Sequence, residues 1–244
     1  MRNILLTTSF LALVACSAPA ANDTAPAAAP EVSAAEATAA PAEAPAPELG
    51  PAGTYALDPT HASLTWKISH FGLSNYTARF TKLDATLVFE PENLGASSID
   101  VTVDPLSVET DYPADFKAGH PDSPFNTFDE EIGQDASFFD GVTFPAITFK
   151  STSATQTGPN TGTVTGDLTF RGVTKPVTLD VVYNGTVTLP WAPDAPRLGF
   201  SATGTVKRSD FGLDFMVPQL GDDVQLLIET EFSKVPDTAP ADSE

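Results

Sequence analysis

"GDLTFRGVTKPVTLDV", residues 166–181, is two strands joined by a short basic connection. Leu168 and Phe170 alternate with polar residues before the connection, and Val177, Leu179 and Val181 alternate after it. Such period-two patterning marks strands with one buried face. Arg171, Gly172, Lys175 and Pro176 lie between the two apolar sets, in a chain with 32 acidic and only 12 basic residues. The tip of an otherwise buried hairpin is therefore one of the few cationic spots of the molecule. The rest of the chain has to explain why.

The same alternation recurs through most of the sequence. Residues 62–70, "ASLTWKISH", set Leu64, Trp66, Ile68 and His70 against Ser63, Thr65, Lys67 and Ser69. Residues 83–89 offer Leu83, Ala85, Leu87 and Phe89, and residues 98–104 offer Ile99, Val101 and Val103. Ile147 and Phe149, then Val164, Leu168 and Phe170, then Phe200, Ala202 and Val206, then Val224, Leu226 and Ile228 continue the series. Turn-forming clusters such as "PENLGAS", "TGPNTG" and "LPWAPDAPR" separate these runs. No long amphipathic stretch stands between strands, so parallel crossovers are not expected. About eight antiparallel strands in one domain predict a sandwich or a closed barrel.

Residues 112–145 break the pattern. They carry Phe116, Phe125, Phe128, Phe138, Phe139 and Phe144 without alternation. Short helical turns are expected near 113–119 and 126–135, the second capped by Asn126 with Asp129 and Glu130 in its first turn. The rings must pack on something apolar. They either plug one end of the domain or also line an entrance to it.

The ends have a different character. Residues 1–15 have a basic start and an apolar run too short to span a bilayer, which suits an export signal. They lead to Leu13-Val14-Ala15-Cys16, which resembles a bacterial lipobox, so Cys16 is the expected lipidation site and the membrane contact. Ser17 resembles the signal that permits outer-membrane sorting. Cys16 is the single cysteine, which excludes internal disulfides and thiol catalysis. Residues 16–52 hold the lipidated Cys and an Ala/Pro-rich stretch without Lys or Arg. It is expected to be a disordered linker reaching roughly 35 Å. Residues 53–235 form the expected domain, and 236–244 an acidic disordered tail.

Four segments resemble the YceI-like family: "YALDPTHASLTWKISHFGLS" (55–74), the opening hairpin (166–181), "TVKRSDFGLDF" (205–215) and "VQLLIETEF" (224–232). They come in the family's order and cover most of 54–232. The resemblance implies an all-β fold, an eight-stranded antiparallel lipocalin-like β-barrel with short helical insertions. It also implies a cavity for a polyisoprenoid, an isoprenoid quinone or another long-chain amphiphile. Between 111 and 140 the chain departs from the family: an acidic, Phe-rich insertion stands where many members have a basic stretch.

An eight-stranded barrel is either filled by side chains or holds one small ligand. Small inward residues, Ala85, Gly166, Ala202 and Gly204, favour a container, although strand glycines also mark bends. The candidate lining is Trp66, Ile68, Leu87, Phe89, Val101, Phe149, Leu168 and Phe170 from strands, with Phe125 and Phe128 from the insertion. His70 shares a face with Trp66 and Ile68. It is a hydrogen-bonded core residue or the polar contact of a bound molecule. Arg171 and Lys175 are a solvated turn that suppresses edge pairing, or a cationic lip for a head group. Lys207 and Arg208 belong to the same lip or to the opposite rim.

No metal site is expected: His61 and His70 are far apart along one strand, and no His-x-His occurs. No nucleophile elbow, phosphate loop or dinucleotide fingerprint points to an enzyme. A net charge of -20 disfavours nucleic acid. No cofactor is expected beyond a bound isoprenoid or other lipid. The expected function is binding and sequestration or transport of a hydrophobic ligand, by a barrel anchored to the cell envelope and facing the periplasm. The alternative is a filled barrel serving as a non-catalytic interaction module. Exposed aromatic content allows a homodimer.

Overall fold

The computed structural model describes residues 47–236. The expected signal, Cys16, the linker up to residue 46 and the tail from residue 237 lie outside the described residues. The strands are β1 (Gly53–His70), β2 (Ser74–Phe80), β3 (Leu83–Phe89), β4 (Ser98–Val103), β5 (Val108–Glu109), β6 (Ile147–Gln156), β7 (Thr161–Phe170), β8 (Val173–Leu189), β9 (Ala192–Lys207) and β10 (Leu220–Lys234). The helices are α1 (Phe116–Gly119) and α2 (Phe128–Gln134). All strand pairings are antiparallel. Eight strands follow one another around a ring, β1-β3-β4-β6-β7-β8-β9-β10, and β10 closes it on β1. The fold is the expected eight-stranded antiparallel barrel with short helical insertions.

Two strands escaped the sequence reading. β2 flanks the second half of β1, and β5 pairs with β2 beyond it. Tyr76, Ala78 and Phe80 alternate along β2, with Ala78 and Phe80 buried. Residues 189–197, expected as a loop, mostly extend the β8–β9 hairpin, and only Pro190 and Trp191 turn. Pro193 and Pro196 are tolerated there because β9 pairs with β10 only from Arg197 onward, which leaves one flank open.

β1 is not one continuous alternation. Leu57 opposes Phe232 and Ala62 opposes Thr230, so four residues of β1, Asp-Pro-Thr-His, stand against one of β10. This bulge changes the phase. Tyr55 and Leu57 point inward before it, and Leu64, Trp66 and Ile68 point inward after it, opposite Ile228, Leu226 and Val224. Asp58 organises the bulge. Its carboxylate accepts from the Thr60 N–H (3.0 Å) and hydroxyl (2.6 Å), sits 3.0 Å from His61 Nδ1 and accepts from Arg197 Nη1 at 2.7 Å. The Thr60 hydroxyl is the main reason the Asp58 pKa lies well below the ordinary aspartate value. Burial opposes the shift, and His61, the Thr60 N–H and Arg197 add to it.

The interior has two apolar clusters. One, at the end where β1 begins, gathers Tyr55, Leu57, Leu87, Phe89, Tyr183, Leu198 and Phe232. The other, at the end where the 104–146 connection leaves β4, gathers Trp66, Ala78, Phe80, Val103, Val108 and Ile132.

Candidate ligand cavity of the barrel

The floor of the barrel is built from strand side chains. Phe89 meets Tyr55 edge-on at 6.3 Å and stacks on Tyr183 at 6.1 Å, and Phe200 meets Tyr183 at 5.3 Å and Phe232 at 6.0 Å. These centroid spacings are those of favourable aromatic pairs. Both tyrosine hydroxyls are bonded to the chain entering β1. Tyr55 donates to the Pro51 carbonyl (2.6 Å), and Tyr183 donates to the Glu48 carbonyl (3.1 Å) while accepting from the Gly50 N–H (3.0 Å). Burial raises both phenol pKa values.

The roof comes from the Phe-rich connection. Phe139 is its hub, with ring centroids 5.9 Å from Trp66, 5.5 Å from Phe80 and 5.7 Å from Phe170. Phe170 continues to Phe211 at 5.9 Å, and Phe138 to Phe215 at 5.6 Å. Ile132 of α2 is buried beneath them. Thr127, not Asn126, caps α2, its hydroxyl accepting from the Glu130 N–H at 3.0 Å; Asn126 instead donates its own N–H to the Glu130 carboxylate at 2.7 Å.

Arg171 gives the basic hairpin tip a structural role. The β7–β8 turn is two residues, Arg171 (φ 50°) and Gly172 (φ 73°), with Phe170 opposite Val173. Left-handed backbone at the first of these favours Asn, Asp or Gly, and a long side chain there is strained. The guanidinium donates to the Ala136 carbonyl at 2.8 Å and to the Phe138 carbonyl. The cation is a strut that fastens the roof to the hairpin tip. It is neither a free solvated charge nor an open head-group contact. Arg208 is corrected in the same sense. It is buried, and its guanidinium donates to the carbonyls of Gly221 (2.8 Å), Leu213, Phe215 and Leu220 (each 2.9 Å). It holds the 211–220 loop beside the roof, and burial lowers its pKa. Lys207 pairs with Asp223 at 2.8 Å.

Between floor and roof the wall is different. Val101, Val164, Leu168, Leu179, Ala202, Leu226 and Ile228 all lie in the inward register, yet each is only half-buried. Inward residues at the floor, such as Tyr55 and Leu198, have no accessible surface. A side-chain-filled barrel would bury its middle as completely as its ends. Apolar side-chain surface therefore stays accessible along part of the middle of the wall. Gly166 and Gly204 do not add to it directly. Their missing Cβ positions are taken by the Phe149 ring and, at 2.5 Å, by Leu179 Cδ2.

The expected lining divides accordingly. Val101 and Leu168 are half-buried on the mid-wall, and Phe149, paired between them, is buried. Leu87 and Phe89 belong to the floor. Trp66, Ile68 and Phe170 meet the roof. Phe128 packs against Tyr76, Tyr112 and Phe116 on the outer side of the roof, and Phe125 is half-buried in the connection before it. His70 is corrected: β1 runs past the barrel rim, so His70 is exposed and rests edge-on against Phe71 at 4.7 Å. Lys175 stands opposite Leu168 across β7–β8 and is exposed. Phe138, Phe139, Phe211 and Arg208 are the roof residues that the expected lining omitted. The clustering of phenylalanines in a connection was their signal, without saying which rings turn inward.

Outside the barrel, ligand atoms of Asp58, His61 and Glu231 converge within 4.8 Å. Arg197 Nη1 stands between the carboxylates, 2.7 Å from Asp58 and 3.2 Å from Glu231. A cation already occupies the place a metal ion would take.

Known proteins share this architecture. The YceI-like domain family matches residues 55–232. A UPF0312 protein of Vibrio cholerae is 33% identical over 180 residues, 73% of this chain and 87% of that protein. The solved YceI protein of Campylobacter jejuni has a TM-score of 0.54 and 28% identity, covering 69% of this chain and 91% of its own. A polyisoprenoid binding domain from Saccharophagus degradans has a TM-score of 0.51 at 15% identity, covering 74% and 98%, a likeness of fold.

Proposed function

The chain belongs to the YceI-like family, and from that membership we propose that its barrel binds a long-chain hydrophobic or amphiphilic molecule and sequesters or carries it. A polyisoprenoid, an isoprenoid quinone and a fatty-acid derivative are the candidate classes. The observation that carries the reading is the half-buried apolar mid-wall enclosed between two packed ends. The polyisoprenoid binding of the Saccharophagus domain, whose fold is alike, agrees with it.

The mechanism is desolvation. Each methylene moved from water to this wall contributes about 0.8 kcal/mol. Ten carbons contribute roughly 8 kcal/mol before ordering costs, so affinity needs no charged contact. The Phe138–Phe139 turn is the gate and Arg171 its latch. The protein acts by binding rather than by catalysis. Lipidation at Cys16 would anchor it in the cell envelope, at the outer membrane facing the periplasm, with the Ala/Pro-rich stretch ahead of Glu48 as tether, since Glu48, Gly50 and Pro51 are bonded to the barrel floor. A homodimer accompanies this reading, and a monomer in sedimentation at high micromolar concentration removes it.

The test is native mass spectrometry of the full chain, followed by organic extraction. A discrete adduct that extracts as a prenyl or acyl chain is the expected result. A clean apo mass that stays unshifted by added quinones, prenyl alcohols and fatty amides would replace the reading with a filled interaction module.

A further inference from the structure

We propose that the Trp66 indole N–H is the polar anchor for the bound molecule, which makes the barrel selective for chains bearing a neutral hydrogen-bond acceptor, such as a carbonyl or ether oxygen, over plain hydrocarbons. The inference rests on the container reading and specifies the ligand's chemistry.

Among the described residues, Trp66 Nε1 is the buried side-chain polar atom that has no hydrogen-bond partner. Buried indoles ordinarily find one, and leaving the donor unpaired costs stability. The rest of the molecule observes that rule closely. Buried Arg208 donates to four carbonyls, the Thr110 hydroxyl donates to Asp129 at 2.5 Å, and the Ser107 hydroxyl donates to the Asp104 carbonyl at 2.7 Å. A phenylalanine at position 66 would supply most of the same packing without an orphaned donor. Among the described residues the indole is the one buried side-chain donor without a partner.

The surroundings say what kind of partner fits. Trp66 packs among Ala78, Phe80, Val103, Val108 and Ile132, a wholly hydrocarbon cluster. Its aromatic neighbours are Phe139 and Tyr76, and the Tyr76 hydroxyl is committed to the Thr110 carbonyl at 3.2 Å. No protein acceptor is bonded to the N–H, and the residues packed around the indole are hydrophobic. Half-buried Ile68, Val101 and Leu226 join the same cluster, so the accessible middle of the barrel adjoins the indole. Phe139 is the ring that covers it, and the adjoining Phe138 carbonyl is held by Arg171. A chain lying in the lumen brings its acceptor to the N–H when this turn shifts.

The test uses two prenyl probes that differ by one function, farnesene and the ketone farnesylacetone, with the full-length protein and its Trp66→Phe variant. The expected result is that the variant binds farnesene like the parent and loses about tenfold in ketone affinity, the worth of one buried hydrogen bond. Its unfolding temperature should equal or exceed the parent's. In a Trp191→Phe background, which leaves Trp66 as the one indole, the indole proton resonance should move downfield with farnesylacetone and hold with farnesene. An unchanged ketone affinity in Trp66→Phe, or an indole resonance indifferent to the ketone, overturns the inference while farnesene binding leaves the container reading intact. Failure of both probes to bind overturns the two together.

Discussion

Both ends of the barrel are closed by aromatic rings, but by different physics. The floor rings, Tyr55, Phe89, Tyr183, Phe200 and Phe232, project from strands locked into the ladder, and two tyrosine hydroxyls tie them to the incoming chain. Their backbones are fixed in the ladder, so none can be carried away from the barrel without breaking sheet hydrogen bonds. The roof rings, Phe138 and Phe139, sit on a connection outside the ladder, held by ring contacts and by carbonyls that accept from Arg171. A closure made of strands is permanent. A closure fastened by side-chain donors can open, because its few bonds can be exchanged for water at modest cost.

That contrast predicts a graded series. Phe89→Ala should be the most damaging, lowering stability by about 3–5 kcal/mol in urea unfolding, with little effect on how fast a bound chain exchanges. Arg208→Met should cost about 3 kcal/mol by leaving the carbonyls of Leu213, Phe215, Leu220 and Gly221 short of a donor. A loss below about 1 kcal/mol would show that water replaces the guanidinium freely. Arg171→Asn separates strain from fastening: asparagine suits the left-handed turn, so stability should change by less than about 1 kcal/mol. Release of a bound chain should nevertheless quicken several-fold in stopped-flow exchange. Unchanged release would break the distinction between floor and roof.

The smallest effect belongs to the Asp58 bulge. The folded pKa of Asp58 lies below its ordinary 3.8, so the folded state holds the charged form more strongly than the unfolded chain does. The stability it contributes is complete above the ordinary value and is lost as pH falls through the folded one. Asp58→Asn should therefore flatten the acid limb of unfolding between about pH 4 and pH 2 and leave its shape near neutrality unaltered.

Most of the barrel was legible because its strands bury one face, and alternation records that directly. The Asp-Pro-Thr-His bulge was not, since a period-two reading carried through β1 puts Tyr55 on the face of Ser63 and Thr65. His70 failed for a related reason: alternation tells which side of a strand a residue takes, not whether the strand has already passed the rim. The strut role of Arg171 depends on carbonyls of residues 136 and 138, which no local pattern connects to it. β5 is two residues long and exists only by pairing with β2. The orphaned N–H of Trp66 is a property of its neighbours, and a sequence names those only after it folds.

The central claim is that the middle of the barrel is open apolar space used by a chain-like molecule. Methyl NMR of the full-length protein titrated with farnesene tests it most directly. The account predicts shifts at Val101, Val164, Leu168, Leu179 and Ile228, all inward, with outward-facing Val182 and Leu227 unmoved. Shifts confined to Val182, Leu227 and other exposed methyls, or none at saturating probe, would contradict it.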